Sequence, residues 1–407
     1  MTGFAERTPT AAPPAAERDH AAARQQIRDA AGRARRWLLE SGIQILRQGD
    51  PNYGAVYSYY DPQHRRYELV YAEATAYVGS LIRYLGAANA SPGLVERATA
   101  SGDWLLRSAG QHDGVIAMGK TEAGDLTEAY AFDNGICCKG LLDLSELTGR
   151  AAYLTAAERI AAWLISDAMN SDGSVKPMFD SRARRFAPAG TSWYATSGSF
   201  HAKIAMPLLQ LWMWTRDERF RGAAVKLCRW ALRLQRPDGS FPANALAKAV
   251  NLHAHCYTIE ALLYAYAAEP VPEFLDAATR GAEWMAKMQR PDGSVRLWYA
   301  NGFGREHTSY PQAQAVRIFS LLAMQHPRSP FAEAARKAAQ SLLTLQSSEK
   351  DERADGGFLE GYTQKYRLFY RRSRKTISWA TVFAIQALDF VDRIDGGEFH
   401  REVLCLL

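Results

Sequence analysis

The sequence predicts an all-α protein, an (α/α)6 toroid in which six helical hairpins close into a ring. Three observations carry this. A turn motif recurs along the chain, an amphipathic segment precedes each copy and a more apolar one follows, and the last apolar segment lacks a polar face with which to end an open stack.

The motif is an Asp-Gly turn: HDGVIAM at Asp113, SDGSVKPMF at Asp172, PDGSFPA at Asp238, PDGSVRLWY at Asp292 and ADGGFLEGY at Asp355. The copies fall roughly 55 to 65 residues apart, as stacked supersecondary units do. Before the Asp292 turn, Phe274, Ala278, Ala282, Met285 and Met288 recur every three or four residues while Glu273, Arg280 and Lys287 lie off that line, so the segment is a surface helix with one buried stripe. After the turn, SYPQAQAVRIFSLLAM is apolar nearly all round and reads as an inner helix. The same reading gives twelve helices, over 21–42, 69–87, 93–109, 126–147, 151–169, 197–215, 217–235, 250–267, 272–289, 309–325, 330–346 and 375–394, in six outer-inner pairs. Short connections at 148–153 and 215–220 link an inner helix to the next outer one, and the long loops with the turns lead from outer to inner. Short strands fit within those loops; a strand-rich second domain does not. The final inner segment, TISWATVFAIQALDFV, needs a neighbour on every side, which a ring supplies and a solenoid end does not.

Residues 1–20, rich in Ala, Pro, Thr and charge with no apolar core, are expected to be a disordered leader, 21–395 the single toroid domain and 396–407 a C-terminal tail. At 47% hydrophobic and 23% charged the chain is an ordinary globular one without a membrane-spanning run. A net charge of +6 is too mild to argue for nucleic-acid binding. Five cysteines without a CxxC pair favour a reducing cytoplasm over a disulfide framework. No cofactor is expected.

In a toroid all the long loops, and the N-terminal ends of the inner helices, share one side. Those ends are polar here: Glu73 and Tyr77; Asp133 and Asn134; His201 and Lys203; His253, His255 and Tyr257; Tyr310, Gln314 and Arg317; and Trp379, beside the basic cluster Arg371 to Lys375. Ser197, Thr308 and Thr376 read as caps. Capping does not call for His, Tyr, Lys and Arg one or two turns inside apolar helices, so these are expected to face a shared wet cavity. Trp193, Tyr194, Trp298, Tyr299 and Trp379 are available to stack on sugar rings, and the excess of cations suits an acidic oligosaccharide or polysaccharide. For His253, His255 and Cys256 three readings stay open: metal ligands, substrate binding or proton transfer, and packing of a helix end. A metal is disfavoured because His-x-His at a helix start points its imidazoles apart and no second cluster has ligand spacing. The basic cluster stays open between cavity and solvent.

The phrases YAEATAYVGSLIRYL, AFDNGICCKGLLDLSELTGRAAYLTAAERIAAWL, FHAKIAMPLLQLW, LHAHCYTIEALLYA and SYPQAQAVRIFSLLA resemble, in order and spacing, the six-hairpin (α/α)6 toroid proteins encoded with bacterial exopolysaccharide genes. The resemblance covers roughly residues 30 to 395. Related toroids include uronyl C5-epimerases, polysaccharide lyases, unsaturated glucuronyl hydrolases and sugar 2-epimerases, which implies a carbohydrate-active protein. The QRPDGSF turn is also similar to those of terpene cyclases and protein prenyltransferases, but the Asp-x-Asp-Asp acid motif is absent and Cys256 lacks an Asp partner. The favoured expectation is proton abstraction at C5 of a uronate, by an epimerase or lyase. Arg317, Lys203 and Asn134 would clamp the carboxylate, His201 or His255 would act as base, and Tyr257 or Tyr310 as acid. Tyr77, His253, Gln314, Trp298 and Trp379 would line the substrate site. The alternatives are glycoside hydrolysis with Glu73 and Asp133 as acid-base pair, and a glycan-binding scaffold without catalysis.

Overall fold

The computed structural model describes residues 15–407 apart from 90–91, 111–113, 189, 191, 301–305 and 366–368. The outer helices are α1 (Ala15–Glu40), α3 (Pro92–Gly110), α5 (Ala151–Trp163), α7 (Glu218–Arg233), α9 (Pro272–Met288) and α11 (Phe331–Leu343). The inner ones are α2 (Ala72–Asn89), α4 (Ala131–Thr148), α6 (Ala205–Thr215), α8 (Leu252–Ala268), α10 (Ser309–Gln325) and α12 (Ser378–Asp392). Each inner helix packs on the next, and α12 packs back on α2, so the ring is closed. α9 shows why the layers separate: Phe274, Ala277, Ala278, Ala282, Trp284 and Met285 are buried while Glu273, Arg280 and Lys287 face out. Each large apolar side chain on that stripe contributes about 1.5–3 kcal/mol of burial. Met288, expected on the stripe, is 38% exposed in the last turn. α10, by contrast, is buried from Pro311 to Ala323.

α1 begins at Ala15, inside the stretch expected as a leader. Residues 1–14 and Asp113 lie outside the described residues. Within 396–407, α13 (Phe399–Leu404) packs on α8 and α10 and buries Phe399 and Val403, with Leu406 and Leu407 buried beyond it. Tyr266, in the last turn of α8, contacts Phe399, so α13 sits at the end of the ring opposite the inner-helix N-termini. Among the described residues no helix is long and apolar enough to cross a membrane.

Several inner helices start later than periodicity suggested, because the residues before them pair as strands. One antiparallel sheet runs in the order β10 (His307–Thr308), β11 (Leu359–Lys365), β12 (Phe369–Ile377), β1 (Tyr57–Asp61), β2 (Arg66–Tyr71), β3 (Gly119–Thr121), β4 (Gly124–Asp125). Two smaller sheets join β5 (Glu128–Tyr130), β6 (Met178–Asp180) and β7 (Arg185–Phe186), and β8 (Val250–Asn251) with β9 (Trp298–Tyr299). Before α6 the chain forms a 3-10 turn, Ser199–Ile204, continuous with the helix.

One clasp recurs in all six hairpins. Two residues after the turn glycine, a backbone N–H donates to a side chain at the start of the inner helix: Val56 to Thr75, Ile116 to Asn134, Val175 to Ser197, Phe241 to His255, Val295 to Gln312 and Phe358 to Thr381, all at 2.9 to 3.1 Å. The first copy is the Gly54 turn, which has no Asp-Gly and so escapes the sequence repeat. The glycine then lies against the outer helix of the following hairpin. A Cβ on Gly54, Gly173, Gly239, Gly293 or Gly356, all at positive φ, would fall 1.9 to 2.7 Å from the carbonyl oxygen of Ala100, Lys226, Arg280, Lys337 or Arg33 respectively. Gln44, Gln235, Gln289 and Gln346 reinforce four of these contacts, each donating both to its own loop glycine carbonyl and to a carbonyl of that outer helix. The last copy, Gly356 and Gln346 on α1, joins the sixth hairpin to the first.

Gly293→Ala is expected to destabilise the protein by about 2–4 kcal/mol, through a strained φ and a backbone clash together. Urea unfolding checks this, and a change below about 0.5 kcal/mol would show that the clasp yields freely.

Candidate active site

At the strand end of the ring the inner-helix N-termini surround a cavity of about 500 Å³. The second residue of each inner helix lines it: Glu73, Phe132, His253, Tyr310 and Trp379, with Phe200 in the equivalent place of the 3-10 turn. The fourth residue of five of these helices, Thr75, Asn134, His255, Gln312 and Thr381, is the acceptor in the clasp. Two residues apart on a helix is roughly 200° of rotation, so a side chain at one position faces the axis and the other faces the loop.

That geometry resolves the His253, His255 and Cys256 cluster. His255 accepts the Phe241 N–H on Nδ1 and contacts the Gly281 carbonyl at 3.1 Å through Nε2, so both ring nitrogens are engaged away from the cavity. Burial brings its pKa down to about 4 and keeps it neutral. Cys256 is buried with Sγ 3.7 Å from Met285 Sδ, and burial pushes its thiol pKa well up. His253 faces the cavity between Tyr257, whose ring is tilted against it at 4.3 Å, and Tyr310, which meets it edge-on at 4.7 Å. Among the described residues no three His, Cys, Asp or Glu side chains gather to hold a metal ion.

Tyr71, Glu73 and Asp133 form the acidic part of the cavity wall. The Tyr71 hydroxyl donates to the Glu73 carboxyl and lies 3.3 Å from Asp133 Oδ2, so one hydroxyl bridges carboxyls from two inner helices. Burial raises the Glu73 pKa to about 7, against the hydroxyls of Tyr71, Tyr77 and Tyr257, which hold it down. Burial and the neighbouring Glu73 push Asp133 well above the ordinary carboxylate range. Because the Glu73 charge raises Asp133, Glu73 ionises first and Asp133 keeps its proton beyond that point. Tyr257 lines the cavity, and its hydroxyl is 3.2 Å from that of Tyr77, which lies just behind the wall. Trp193, Tyr194, Trp298 and Trp379 also line it, with Trp379 edge-on to Tyr71; Tyr299 instead packs against Trp284.

Below the floor sits a buried ion cluster. Glu260 accepts from Lys203 Nζ at 2.7 Å and from the Arg317 guanidinium, and from Gln314 Nε2 at 3.3 Å. Burial opposes ionisation of Glu260, but Arg317 and Lys203 outweigh it and hold the carboxylate below its usual range. Gln314 Oε1 is 2.6 Å from His253 Nδ1. Because the Gln314 amide N donates to Glu260, its oxygen takes the imidazole N–H, leaving His253 Nε2 as the lone pair.

Several expected roles therefore change. Lys203 and Arg317 neutralise Glu260 and do not line the cavity, so neither clamps a substrate carboxylate. Asn134 bonds both backbone groups of Ile116 and the Tyr130 carbonyl, which makes it a clasp. His201 is buried, with Nδ1 turned to Gly198 and its pKa brought down to about 4, and is not a cavity residue. The base role expected of His201 or His255 does not fit these positions. Gln314 acts beneath the wall. Tyr59, Glu360 and Lys375, from β1, β11 and β12, line the cavity mouth. Lys375 comes from the basic cluster, and Tyr59 and Glu360 escaped a reading confined to helix starts. The partial alternation in YSYYD and RYELVY marks β1 and its partner β2 in retrospect.

No protein-family model matches the chain, and no curated protein matches it in sequence. Solved structures do match in shape. The cellobiose 2-epimerase from Bacillus thermoamylovorans B4167 superposes with a TM-score of 0.71 at 13% identity, over 89% of this chain and 99% of the other. The unsaturated glucuronyl hydrolase from Bacillus sp. GL1 gives 0.67 at 15%, over 93% and 98%, and a D-mannose isomerase 0.70 at 11%, over 90% and 97%. The chain shares their toroid fold. At such identities the likeness speaks to architecture, and the chemistry has to come from the cavity.

Glu260→Gln leaves two buried cations short of a counter-charge and is expected to cost about 3–5 kcal/mol. Thermal unfolding beside a Glu273→Gln surface control checks it.

Proposed function

We propose that the protein is a carbohydrate-active enzyme that hydrolyses a glycosidic bond, with Glu73 and Asp133 as its acid-base pair. The observation that carries this reading is the Tyr71 bridge between the two carboxyls on an aromatic cavity wall. Hydrolysis needs one group to deliver a proton and one to accept it from water, and a pair sharing a proton supplies both forms at neutral pH. The aromatic lining offers apolar faces to sugar rings, and the structural neighbours include a cellobiose 2-epimerase and an unsaturated glucuronyl hydrolase.

A second reading, C5 proton abstraction from a uronate by an epimerase or lyase, is favoured by His253. It has the free imidazole lone pair that His201 and His255 were expected to supply, and Tyr257 and Tyr310 flank it as acids. Incubation with uronate-containing and neutral oligosaccharides in deuterated buffer separates the two. A new reducing end supports hydrolysis, deuterium at C5 or an unsaturated product supports proton abstraction, and binding without any turnover overturns both.

Glu73→Gln and Asp133→Asn are each expected to lower kcat by about 10²–10⁴-fold while ligand affinity changes little. Burial raises both carboxyls, and the Glu73 charge raises Asp133 further, so Glu73 ionises first as the base while Asp133 keeps its proton as the acid. Activity should rise as pH rises through about 7, where the Glu73 carboxylate forms beside a still-protonated Asp133. Tyr71→Phe removes a donor that favours the Glu73 carboxylate, so the acid limb should move to higher pH; a shift to lower pH in the rate profile would contradict the assignment.

A further inference from the structure

The pairing of β11 with β12 extends the binding surface beyond the cavity mouth. Leu359 pairs with Thr376 and Gly361 with Ser373, so β12 carries one more residue than β11 across this span. Such a bulge re-aims side chains. Strict alternation would put Lys375 and Arg372, three residues apart, on opposite faces. With the extra residue, both share the face of Glu360 and Tyr362, since Arg372 pairs directly with Tyr362. That face is the cavity side, because Glu360, Lys375, Ile377 and Tyr59 line the mouth.

Two cation-aromatic pairs follow one another along this face. Lys375 Nζ is 4.0 Å from the Tyr59 ring centre, and the Arg372 guanidinium is 5.8 Å from that of Tyr362. They are separated by about 10 Å along the strand. Tyr362 is 40% exposed, and Arg372 is exposed beside it. Burial works against the Lys375 charge, but the Tyr59 hydroxyl, Glu68 and Glu360 more than offset it and hold the ammonium above the usual lysine range. An aromatic face beside a cation suits an acidic sugar, whose ring stacks while its carboxylate pairs.

We propose that β12 forms an external track for an acidic oligosaccharide, with Lys375 and Tyr59 holding the unit at the cavity mouth and Arg372 and Tyr362 holding a unit further out. This deepens the carbohydrate reading above and rests on it. The substrate is then a chain with charge on successive units, longer than the cavity can enclose.

The test is equilibrium binding of short and long oligouronates, neutral glucan oligomers of the same lengths and a single-stranded oligonucleotide of matched charge, by calorimetry on the full chain with Asp133→Asn to stop turnover. Lys375→Met is expected to weaken both lengths of oligouronate by about three- to tenfold. Arg372→Ala and Tyr362→Ala should weaken only the long ones, by a similar factor. Arg371→Ala, on the opposite face by register, should leave binding unchanged. The track is overturned by failure of every oligouronate to bind, by equal binding of neutral oligomers or the oligonucleotide, or by an Arg371→Ala effect matching that of Arg372→Ala. Product formation by the unmodified chain reports separately on Glu73 and Asp133: binding as described without product would overturn the catalytic reading and leave the track standing.

Discussion

The structure depends on a hydrogen bond made six times over, from the backbone after each turn glycine to a side chain at the head of an inner helix. Each is worth only about 1 kcal/mol net, but an unmet buried N–H there would cost more. Its larger effect is geometric. The long loops would otherwise be free to slide over the mouth of the ring. With one end bonded to the inner helix and the glycine seated on the next outer helix, each loop has a fixed height and direction, and the strands it carries meet in register. Tyr59, Glu360 and Lys375 reach the cavity rim because two such loops, the first and the sixth, are held this way.

The axis of the ring poses a different problem. Six inner helices leave a central space, and here it is filled by charge: Lys203 and Arg317 around Glu260 below the cavity, and Lys139 with Asp143 in a second buried pair. Well-packed apolar residues would often be as stable. The charges instead give direction. Glu260 orients Gln314, and Gln314 fixes which nitrogen of His253 carries the proton, so a contact two side chains away determines what the cavity presents to a ligand.

Much of the fold was legible because helical periodicity is strong over long segments, as α9 and α10 show. The site was legible in part. Glu73, Asp133, His253, Tyr257, Tyr310 and Trp379 were picked from helix heads, and Trp298 as a loop aromatic, and they do meet in the cavity. His255, Asn134, Lys203 and Arg317 came from the same heads and point elsewhere. A helix start placed a residue or two off rotates every side chain by one or two hundred degrees, and periodicity does not place starts to one residue. The lining at the second position and the clasp at the fourth were written in the chain, but reading them needed the register of strands such as β5 and β8, which are too short to announce themselves. The bulge in β12 was further out of reach, since it follows from pairing and not from residue type.

The clasp between the sixth loop and α1 has a consequence for how the chain becomes a ring. Gly356 and Gln346 find their partners Arg33 and Ala30 across more than three hundred residues of intervening sequence. Until the last hairpin exists, α1 has neither α11 nor α12 to cover it and α2 has one bare flank. Contacts of such sequence separation are slow to form. On the ribosome the early hairpins can dock on their successors as they emerge, yet the seam stays open until synthesis is nearly done. The cavity, whose rim strands β1 and β12 pair across that same seam, is the last part of the molecule to be assembled.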